Sequence, residues 1–333
     1  MTEELIEGPI ARGMQVPEIR PVRPEELEDC ARVWHTSLND YLMRLNQPEW
    51  PFDPTSITGL YRHTQSTDPD RFLVAVRSEP TEADPAAERV VAFVSACVRD
   101  SHWFLSMLFV LPEEQASGIG RLLLERVLPP PGSGMTLATA TDSAQPISNA
   151  LYSRYGMIPR MPLLNLSGTL RRPETLAALP AGVTATRFED LVAGAADGTG
   201  HRDLAELVNS LDRATLGVEH PQDHAWLRMS GRRGFAYRGA NGAVLGYGYG
   251  SELGRIGPIA VREPDLMAPI LGHLLATFQP RGAFAVWTPG LAGASVRLLL
   301  DAGLRLEPFP ILMCWDEPIT DYARYLPISP GLL

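Results

Sequence analysis

The chain has 333 residues, of which 45% are hydrophobic, and its 29 basic and 39 acidic residues give a formal net charge of −10. This length favours two domains, because one domain usually takes ~100–200 residues. The acidic balance, with no basic patch, disfavours binding to nucleic acid. No segment approaches the ~20 consecutive apolar residues that a transmembrane helix needs, so we expect no membrane association.

The N-terminus and the cysteines indicate where the protein acts. Residues 1–16 are acidic and lack a basic start followed by an apolar run, so we predict a flexible arm rather than a signal peptide. Cys30, Cys97 and Cys314 are odd in number and widely spaced, which argues against a disulfide framework and against a zinc site. Together these features predict a cytoplasmic protein.

The first elements alternate between strands and helices. Ile19–Val22 is predicted as a short strand, and Pro24–Arg44 as one or two helices. Arg71–Arg77 and Val90–Arg99 are apolar, β-branched runs typical of strands. The polar segment 78–88 between them is predicted as a mobile hairpin loop.

A glycine-rich turn follows the next apolar run. The strand predicted from Ser106 ends at Pro112, and the chain enters an amphipathic helix through the turn 115–120, Gln-Ala-Ser-Gly-Ile-Gly. Unpaired N–H groups and the dipole at a helix N-terminus attract anions, and Gly118 and Gly120 would let a phosphate approach the main chain. The spacing matches neither the Rossmann fingerprint nor a P-loop. A tight strand-to-helix turn without any ligand is compatible with the same residues.

A second group of polar residues lies about 30 residues downstream. Met135–Thr141 is predicted as a strand and Ser148–Arg154 as a short helix that ends before Gly156. Asn149 and Tyr152 are three residues apart and therefore share one face of that helix.

The two segments together resemble the acetyl-CoA signature of the GNAT superfamily of N-acetyltransferases. The resemblance covers residues 17–160 and rests on Gln-x-x-Gly-x-Gly at 115–120 and on Asn149-x-x-Tyr152 followed by Tyr155-Gly156-Met157. It implies an α/β (α+β) fold class, with a mixed, largely antiparallel central sheet flanked by helices. It also implies acetyl-CoA as cosubstrate without a metal, a ternary complex, and an acceptor that is the primary amine of a small molecule, a peptide N-terminus or a lysine.

The resemblance assigns roles to particular residues. Backbone groups of the strand end would hold the pantetheine arm, and those of the turn would hold the pyrophosphate; these residues are Leu108, Phe109, Val110, Gln115, Ala116, Ser117, Gly118, Ile119, Gly120 and Arg121. Tyr152 would protonate the departing thiolate, since a phenol has a pKa near ~10. Asn149 would orient a water or the cofactor amide, and Tyr155 would also contact the cofactor.

The general base is open at this point. Asp142, at the end of a predicted strand, is the first candidate, although it is equally suited to capping the following helix. His102 is a second candidate, but Ser-His-Trp is typical of a hairpin tip. Glu113 and Glu114 are expected to be solvated at the helix start.

The second half of the chain repeats the order of strands and helices of the first. We therefore predict a catalytic domain over residues 17–166, a linker over 167–182 and a second GNAT-like domain over 183–333. Counted from the strand ends Val110 and Val261, Gly118 and Gly120 align with Pro269 and Leu271. Counted back from Gly156 and Gly303, Asn149 and Tyr152 align with Val296 and Leu299. A proline removes one N–H group from the turn. The second domain is therefore predicted to be degenerate, without acetyl-CoA binding.

Other hypotheses stay open. A non-catalytic acyl-CoA-binding regulatory module would use the same turn, but it would not need Tyr152. A structural dimerisation protein leaves both motifs unexplained, although a homodimer is possible. His220 and His224 have a spacing that suits a metal only on a helix; because Pro221 weakens such a helix, we expect a pocket-lining loop or surface histidines.

Overall fold

A computed structural model describes residues 16–80, 85–195 and 198–333. The arm predicted at 1–16 lies outside these ranges except for its last residue, and so does the middle of the loop predicted at 78–88. The described chain forms two compact units: residues 16–98 with 105–133, and residues 99–104 with 134–333.

The first unit consists of strands and helices in the predicted order. Its elements are β1 (Glu18–Pro21), α1 (Leu27–Arg44), α2 (Thr55–Thr67), β2 (Phe72–Ser78), β3 (Glu88–Arg99), β4 (His102–Val110) and α3 (Ile119–Val127). The residues at the tip between β3 and β4, 99–104, belong to the second unit. β2 pairs antiparallel with β1 and with β3. Because β2 and β3 are buried on both faces, both read as nearly continuous apolar runs.

Helix α2 is the element that the sequence did not predict. Its residues, TSITGLYRHTQST, are polar or β-branched and include a glycine, so their intrinsic helix propensity is low. Tertiary packing compensates for this low propensity. The buried ring of Tyr61 packs edge-on against Phe72 at 5.7 Å and Phe93 at 5.4 Å between ring centroids.

The second unit contains most of the sheet. Its elements are β5 (Thr136–Asp142), α4 (Pro146–Ser153), β6 (Ile158–Gly168), β7 (Thr184–Arg187), α5 (Phe188–Gly194), α6 (Gly200–Thr215), α7 (Pro221–Met229), β8 (Arg233–Arg238), β9 (Val244–Gly250), β10 (Arg255–Val261), α8 (Met267–Thr277), β11 (Phe284–Pro289), α9 (Gly293–Asp301), β12 (Arg305–Leu306), β13 (Ile311–Trp315) and β14 (Tyr325–Leu326). The strand order is β5-β13-β6-β11-β10-β9-β8-β7, with β12 on β6 and β14 on β10. The β10–β11 pair is parallel, whereas the neighbouring pairs are antiparallel, so the sheet is mixed and largely antiparallel as expected.

Strand β6 joins the two halves of the sequence inside this sheet. Residues 163–168 pair with 284–289 of β11, and residues 158–163 pair with 311–315 of β13. β13 also pairs with β5, so a strand from the second sequence repeat lies between two strands of the first. The compact units therefore divide the chain at 133–134 rather than at the predicted linker. The boundaries at 166 and 183 stay a prediction about the sequence repeats.

Helix α8 forms the centre of an apolar cluster in the second unit. Ile270, Leu271, Leu274 and Leu275 are fully buried and pack in one cluster with residues of β10 and β11. The linker lies directly against this helix, because a Cβ at Gly272 would approach the Ala177 carbonyl oxygen to 2.4 Å. None of the helices in the described ranges has the length and apolar character needed to cross a lipid bilayer.

The expectation for His220 and His224 was wrong. Helix α7 begins at Pro221, with His220 at its N-cap position and His224 in its first turn, and both histidines are buried. Proline is favourable at the first helical position because the N–H it lacks has no partner within the helix. Pro221 therefore starts this helix instead of weakening it.

A buried ion pair connects this helix with the tip between β3 and β4. The Arg99 guanidinium donates two hydrogen bonds of 2.8 Å to the two carboxylate oxygens of Asp223. The side chains are 7% and 1% exposed, so each charge depends on the other for its neutralisation.

Replacing Arg99 with methionine leaves the Asp223 carboxylate buried without its guanidinium partner. We expect the free energy of unfolding to fall by about 3–5 kcal/mol, as measured by urea denaturation. Arg89→Met is the matched control, since the Arg89–Glu113 pair is half exposed and contributes at most ~1 kcal/mol. An equally small loss for both variants would contradict this prediction.

Candidate functional site

The end of β4 leads into the glycine turn. Residues 102–106 of this strand are buried, whereas Met107 to Val110 are partly exposed. The Val110 carbonyl oxygen accepts hydrogen bonds from Ser37 Oγ at 2.9 Å and from Gln115 Nε2 at 3.0 Å. Ser37, on α1, and Gln115 thus fix the point where strand and turn meet. Sequence reasoning missed Ser37, since it lies 73 residues from its partner in the chain.

The two glycines of the turn have different physical requirements. Gly118 has φ +89°, a left-handed conformation that glycine adopts without strain, while a Cβ there would meet open space. Gly120 lies within α3, and a Cβ there would make an ordinary 3.5 Å contact with Val110 Cγ2. Neither packing nor backbone conformation therefore requires glycine at position 120. Its absent side chain keeps the main chain accessible at the start of the helix.

The N-terminus of α3 has the properties of an anion site. No side chain caps the helix, and the Ser117 hydroxyl donates to the Glu114 carbonyl oxygen at 2.5 Å instead. The first N–H groups of a helix lack partners within it and carry partial positive charge. Arg121 pairs with Glu125 one turn away and is half exposed.

Glu114 is held under this turn rather than solvated as expected. It is buried, and Arg77 on β2 donates to its two oxygens at 2.7 and 2.8 Å. These hydrogen bonds from Arg77 hold the pKa of Glu114 below its usual value. Since a general base works best with a pKa near the operating pH, Glu114 is poorly suited to that task and acts instead in positioning the turn.

In the second unit, Asp142 organises the turn between β5 and α4. Its Oδ1 accepts a hydrogen bond from the Ala144 backbone at 2.9 Å, and its carbonyl oxygen accepts one from Gln145 N at 3.1 Å. The Asn149 amide also donates to that carbonyl, at 3.0 Å. The structure thus brings Asp142 and Asn149 together.

Asn149 has an acceptor without a partner. Its Nδ2 donates to the Asp142 and Gln145 carbonyl oxygens, which fixes the orientation of the amide. Its Oδ1 is buried and accepts no hydrogen bond in the described protein. A buried carbonyl without a donor costs about 1–3 kcal/mol, so this atom is suited to a donor from a ligand.

Tyr152 is buried on the same helix. Burial raises the pKa of its phenol well above the ordinary value, which keeps the group protonated at neutral pH. Its carbonyl oxygen accepts from Tyr155 N and Met157 N, and Gly156, at φ +87°, closes the helix. Tyr155 is partly buried. A neutral phenol has a proton to donate, and the role of Tyr152 as the proton donor stays a prediction.

His102 is unsuited to act as the general base. It is buried at the start of β4, with Nδ1 2.9 Å from Thr136 Oγ1. Burial lowers its pKa to about 4, so the imidazole is neutral at pH 7 and has little affinity for a proton.

The corresponding positions of the second half differ in conformation as well as in residue type. A 3-10 turn, Pro264–Leu266, precedes α8. The N-cap residue of α8 is Leu266, with φ −81°, whereas the N-cap residue of α3 is the left-handed Gly118. Leu271 and Leu299 are fully buried in the core. These two buried leucines stand at the sequence positions that align with Gly120 and Tyr152.

Residues 36–157 match the model of the acetyltransferase (GNAT) family. This range begins within α1 and extends through the glycine turn to the residue after Gly156, so both motifs lie inside it. This part of the chain is a GNAT domain, from a family whose members are acyltransferases. No curated protein matches the chain.

Solved structures show that the fold extends over both halves. A candidate acetyltransferase from Pyrococcus horikoshii has a TM-score of 0.68 at 15% identity, with 100% of both chains covered. A GCN5-related N-acetyltransferase from Sphaerobacter thermophilus has a TM-score of 0.58 at 16% identity, covering 92% of this chain and 98% of that one. A tandem GNAT protein from the clavulanic acid biosynthesis pathway has 0.50 at 17% identity, covering 90% and 99%. The chain therefore has a tandem GNAT fold, which confirms the predicted fold class.

The lowered pKa of His102 predicts an acid-dependent loss of stability. Below pH ~6.5 the unfolded chain binds a proton that the folded protein rejects, so the free energy of unfolding falls by up to ~1.4 kcal/mol per pH unit until about pH 4. Above pH ~6.5 this contribution is constant. His102→Gln removes the contribution, so its stability should depend less steeply on pH between 6.5 and 4.5.

Urea denaturation at half-unit pH steps measures both slopes. His201→Gln, at an exposed position on α6, is the control and should keep the wild-type slope. Equal slopes for wild type and His102→Gln would contradict the prediction.

Proposed function

We propose that this protein is an N-acetyltransferase that transfers the acetyl group of acetyl-CoA to a primary amine in a ternary complex. The turn 115–121 and the strand end Leu108–Val110 bind the cofactor, and Tyr152 acts at the reacting centre. The acceptor is the amine of a small molecule, a peptide N-terminus or a lysine. Residues 183–333 bind no acetyl-CoA.

The observation that carries this proposal is Gly120. In an exposed helix a glycine costs roughly 0.5–1 kcal/mol relative to alanine, and here neither backbone conformation nor packing offsets that cost. Binding of a pyrophosphate at the uncapped N-terminus of α3 would explain the glycine, because a Cβ at position 120 would obstruct the approach of the phosphate groups. The partnerless Oδ1 of Asn149 is a second feature that a ligand N–H would satisfy.

The chemistry requires two proton movements. The amine nitrogen attacks the thioester carbonyl carbon, the C–S bond breaks, and the thiolate takes the Tyr152 proton. Burial raises the pKa of this phenol and so makes it a weaker acid, which means that the transfer depends on the charge that develops on the sulfur as the C–S bond breaks. The attacking amine loses its proton to a base, for which we propose Asp142, directly or through water. Glu114 and His102 are excluded from this task by ion pairing and burial respectively.

Gly120→Ala separates ligand binding from folding. The added methyl group fits against Val110 and raises helix propensity, so the free energy of unfolding should stay equal or rise by up to ~1 kcal/mol. The same methyl group obstructs a bound pyrophosphate, so the acetyl-CoA affinity measured by calorimetry should fall at least ~10-fold. Binding of wild type should show one site per chain.

Gly59→Ala is the matched control. Gly59, on α2, is an exposed helical glycine, whereas Gly120 is partly exposed, and a Cβ at Gly59 meets nothing within 4 Å. This variant should gain stability in the same way and bind acetyl-CoA like wild type. An unchanged affinity in Gly120→Ala, or two sites per chain, would contradict the assignment of the turn. The absence of acetyl-CoA binding to wild type would refute the proposed function.

Tyr152→Phe distinguishes the enzyme from a non-catalytic acyl-CoA-binding regulatory protein. The variant keeps the buried ring and loses only the proton donor, so acetyl-CoA affinity should stay within ~3-fold while turnover falls ~10²–10⁴-fold. Turnover is measured as thiol release from acetyl-CoA across a panel of amines. Asp142→Asn should lower turnover mainly at low pH, where the amine is most protonated. Wild-type binding without turnover of any amine would favour the regulatory alternative.

A further inference from the structure

Three buried side chains of the second unit converge in a place that the proposed acetyl transfer does not use. Asp212 lies near the end of α6, His220 immediately before α7 and His224 within α7. Each side chain is at most 1% exposed. Because polar groups that deep are costly unless they have partners, this cluster needs a physical explanation.

Their ligand-forming atoms point at one another. His224 Nε2 lies 2.7 Å and His220 Nε2 3.3 Å from the same oxygen, Asp212 Oδ2. The three atoms all lie within 4.8 Å of one another. Atoms that share a tetrahedral zinc ion lie about 3–3.5 Å apart, given bonds of ~2.0–2.2 Å. The 2.7 Å separation of His224 Nε2 and Asp212 Oδ2 would need to widen by about half an ångström.

The opposite atom of each side chain is held by another group. His224 Nδ1 lies 3.0 Å from the Tyr249 hydroxyl, and the Tyr247 hydroxyl donates to Asp212 Oδ1 at 2.5 Å. His220 Nδ1 lies 3.3 Å from Asp223 Oδ2. Metal-binding histidines are typically oriented in this way, with the second ring nitrogen near a hydroxyl or carboxylate.

The buried charges around this cluster favour the binding of a cation. Arg99 neutralises Asp223, so the carboxylate of Asp212 is the buried negative charge that remains to be balanced. A proton on His220 is the alternative way to balance it, because Asp212 and Asp223 raise the pKa of this imidazole, although neither 3.3 Å contact meets hydrogen-bond geometry. A metal ion balances the charge and uses Nε2 of His220 directly.

We propose that Asp212, His220 and His224 bind a divalent transition metal, with zinc as the ion that two imidazoles and one carboxylate suit. These three ligands leave the fourth position of a tetrahedral ion to a small ligand such as water. The ion would join α6 to α7 inside the protein. The sequence analysis predicted no metal because it did not predict α7 as a helix.

The test uses the full chain after treatment with a chelator and exchange into metal-free buffer. Zn²⁺ titration by calorimetry should show one tight site per chain, and Zn²⁺ should raise the melting temperature. Co²⁺ should bind with the same stoichiometry and give the intense visible absorption of a tetrahedral site. A wild-type protein that binds neither ion stoichiometrically overturns the proposal.

Two variants locate the ion. Asp212→Asn keeps the shape and the Tyr247 contact but removes the charged ligand, so Zn²⁺ affinity should fall at least ~100-fold. Tyr249→Phe removes only the group beside His224 Nδ1, so the affinity should fall ~10–100-fold. His201→Gln changes an exposed histidine of the same helix and should bind like wild type. Wild-type affinity in both Asp212→Asn and Tyr249→Phe would assign the ion elsewhere and overturn the site.

Discussion

The pairing of β6 on both of its edges is the constraint on which the second unit depends. This strand follows α4 directly, and it is held by β11 over 163–168 and by β13 over 158–163. The helix that carries Asn149 and Tyr152 therefore leads into a strand whose hydrogen bonds are made with the second half of the chain. Because β13 also fills the place beside β5, the second repeat completes the sheet from which Asp142 projects. The second half of the sequence thus has a structural role in completing this sheet.

The parts of this protein that could be predicted from the sequence are those whose cause is local. The turn at 115–120 was predictable because Gly118 needs a left-handed conformation and Gly120 leaves a helix start uncovered, and both requirements are visible as residue types. Strands such as β2 and β3 were predictable because they are apolar runs. Helix α2 was not, since its stability comes from Tyr61 packing on two strands rather than from its own composition. Neither was the partner of Glu114, because nothing in the sequence connects it with Arg77.

The buried polar groups of the second unit were unpredictable for a different reason. The interpretation of His220 and His224 treated Pro221 as a helix breaker, whereas its position at the first turn makes it a helix start. That one change of position places the two imidazoles beside Asp212, and Arg99 beside Asp223. Burial then turns residues that would be ordinary on a surface into charges that require partners. Whether those partners are protons or a metal ion follows from three-dimensional convergence, which spacing along the chain does not reveal.

The two halves of the chain provide an internal comparison of fold and function. The first half carries two features that cost stability without return in the protein itself: a helical glycine at position 120 and a buried acceptor on Asn149 without a donor. The aligned positions of the second half hold Leu271, which is fully buried, and Val296, which has no polar side-chain atom. Residues that stabilise a fold less than the best alternative would are concentrated at functional sites. Since these two features are absent from the aligned positions of the second half, they support the proposal that acetyl-CoA binds to the first half.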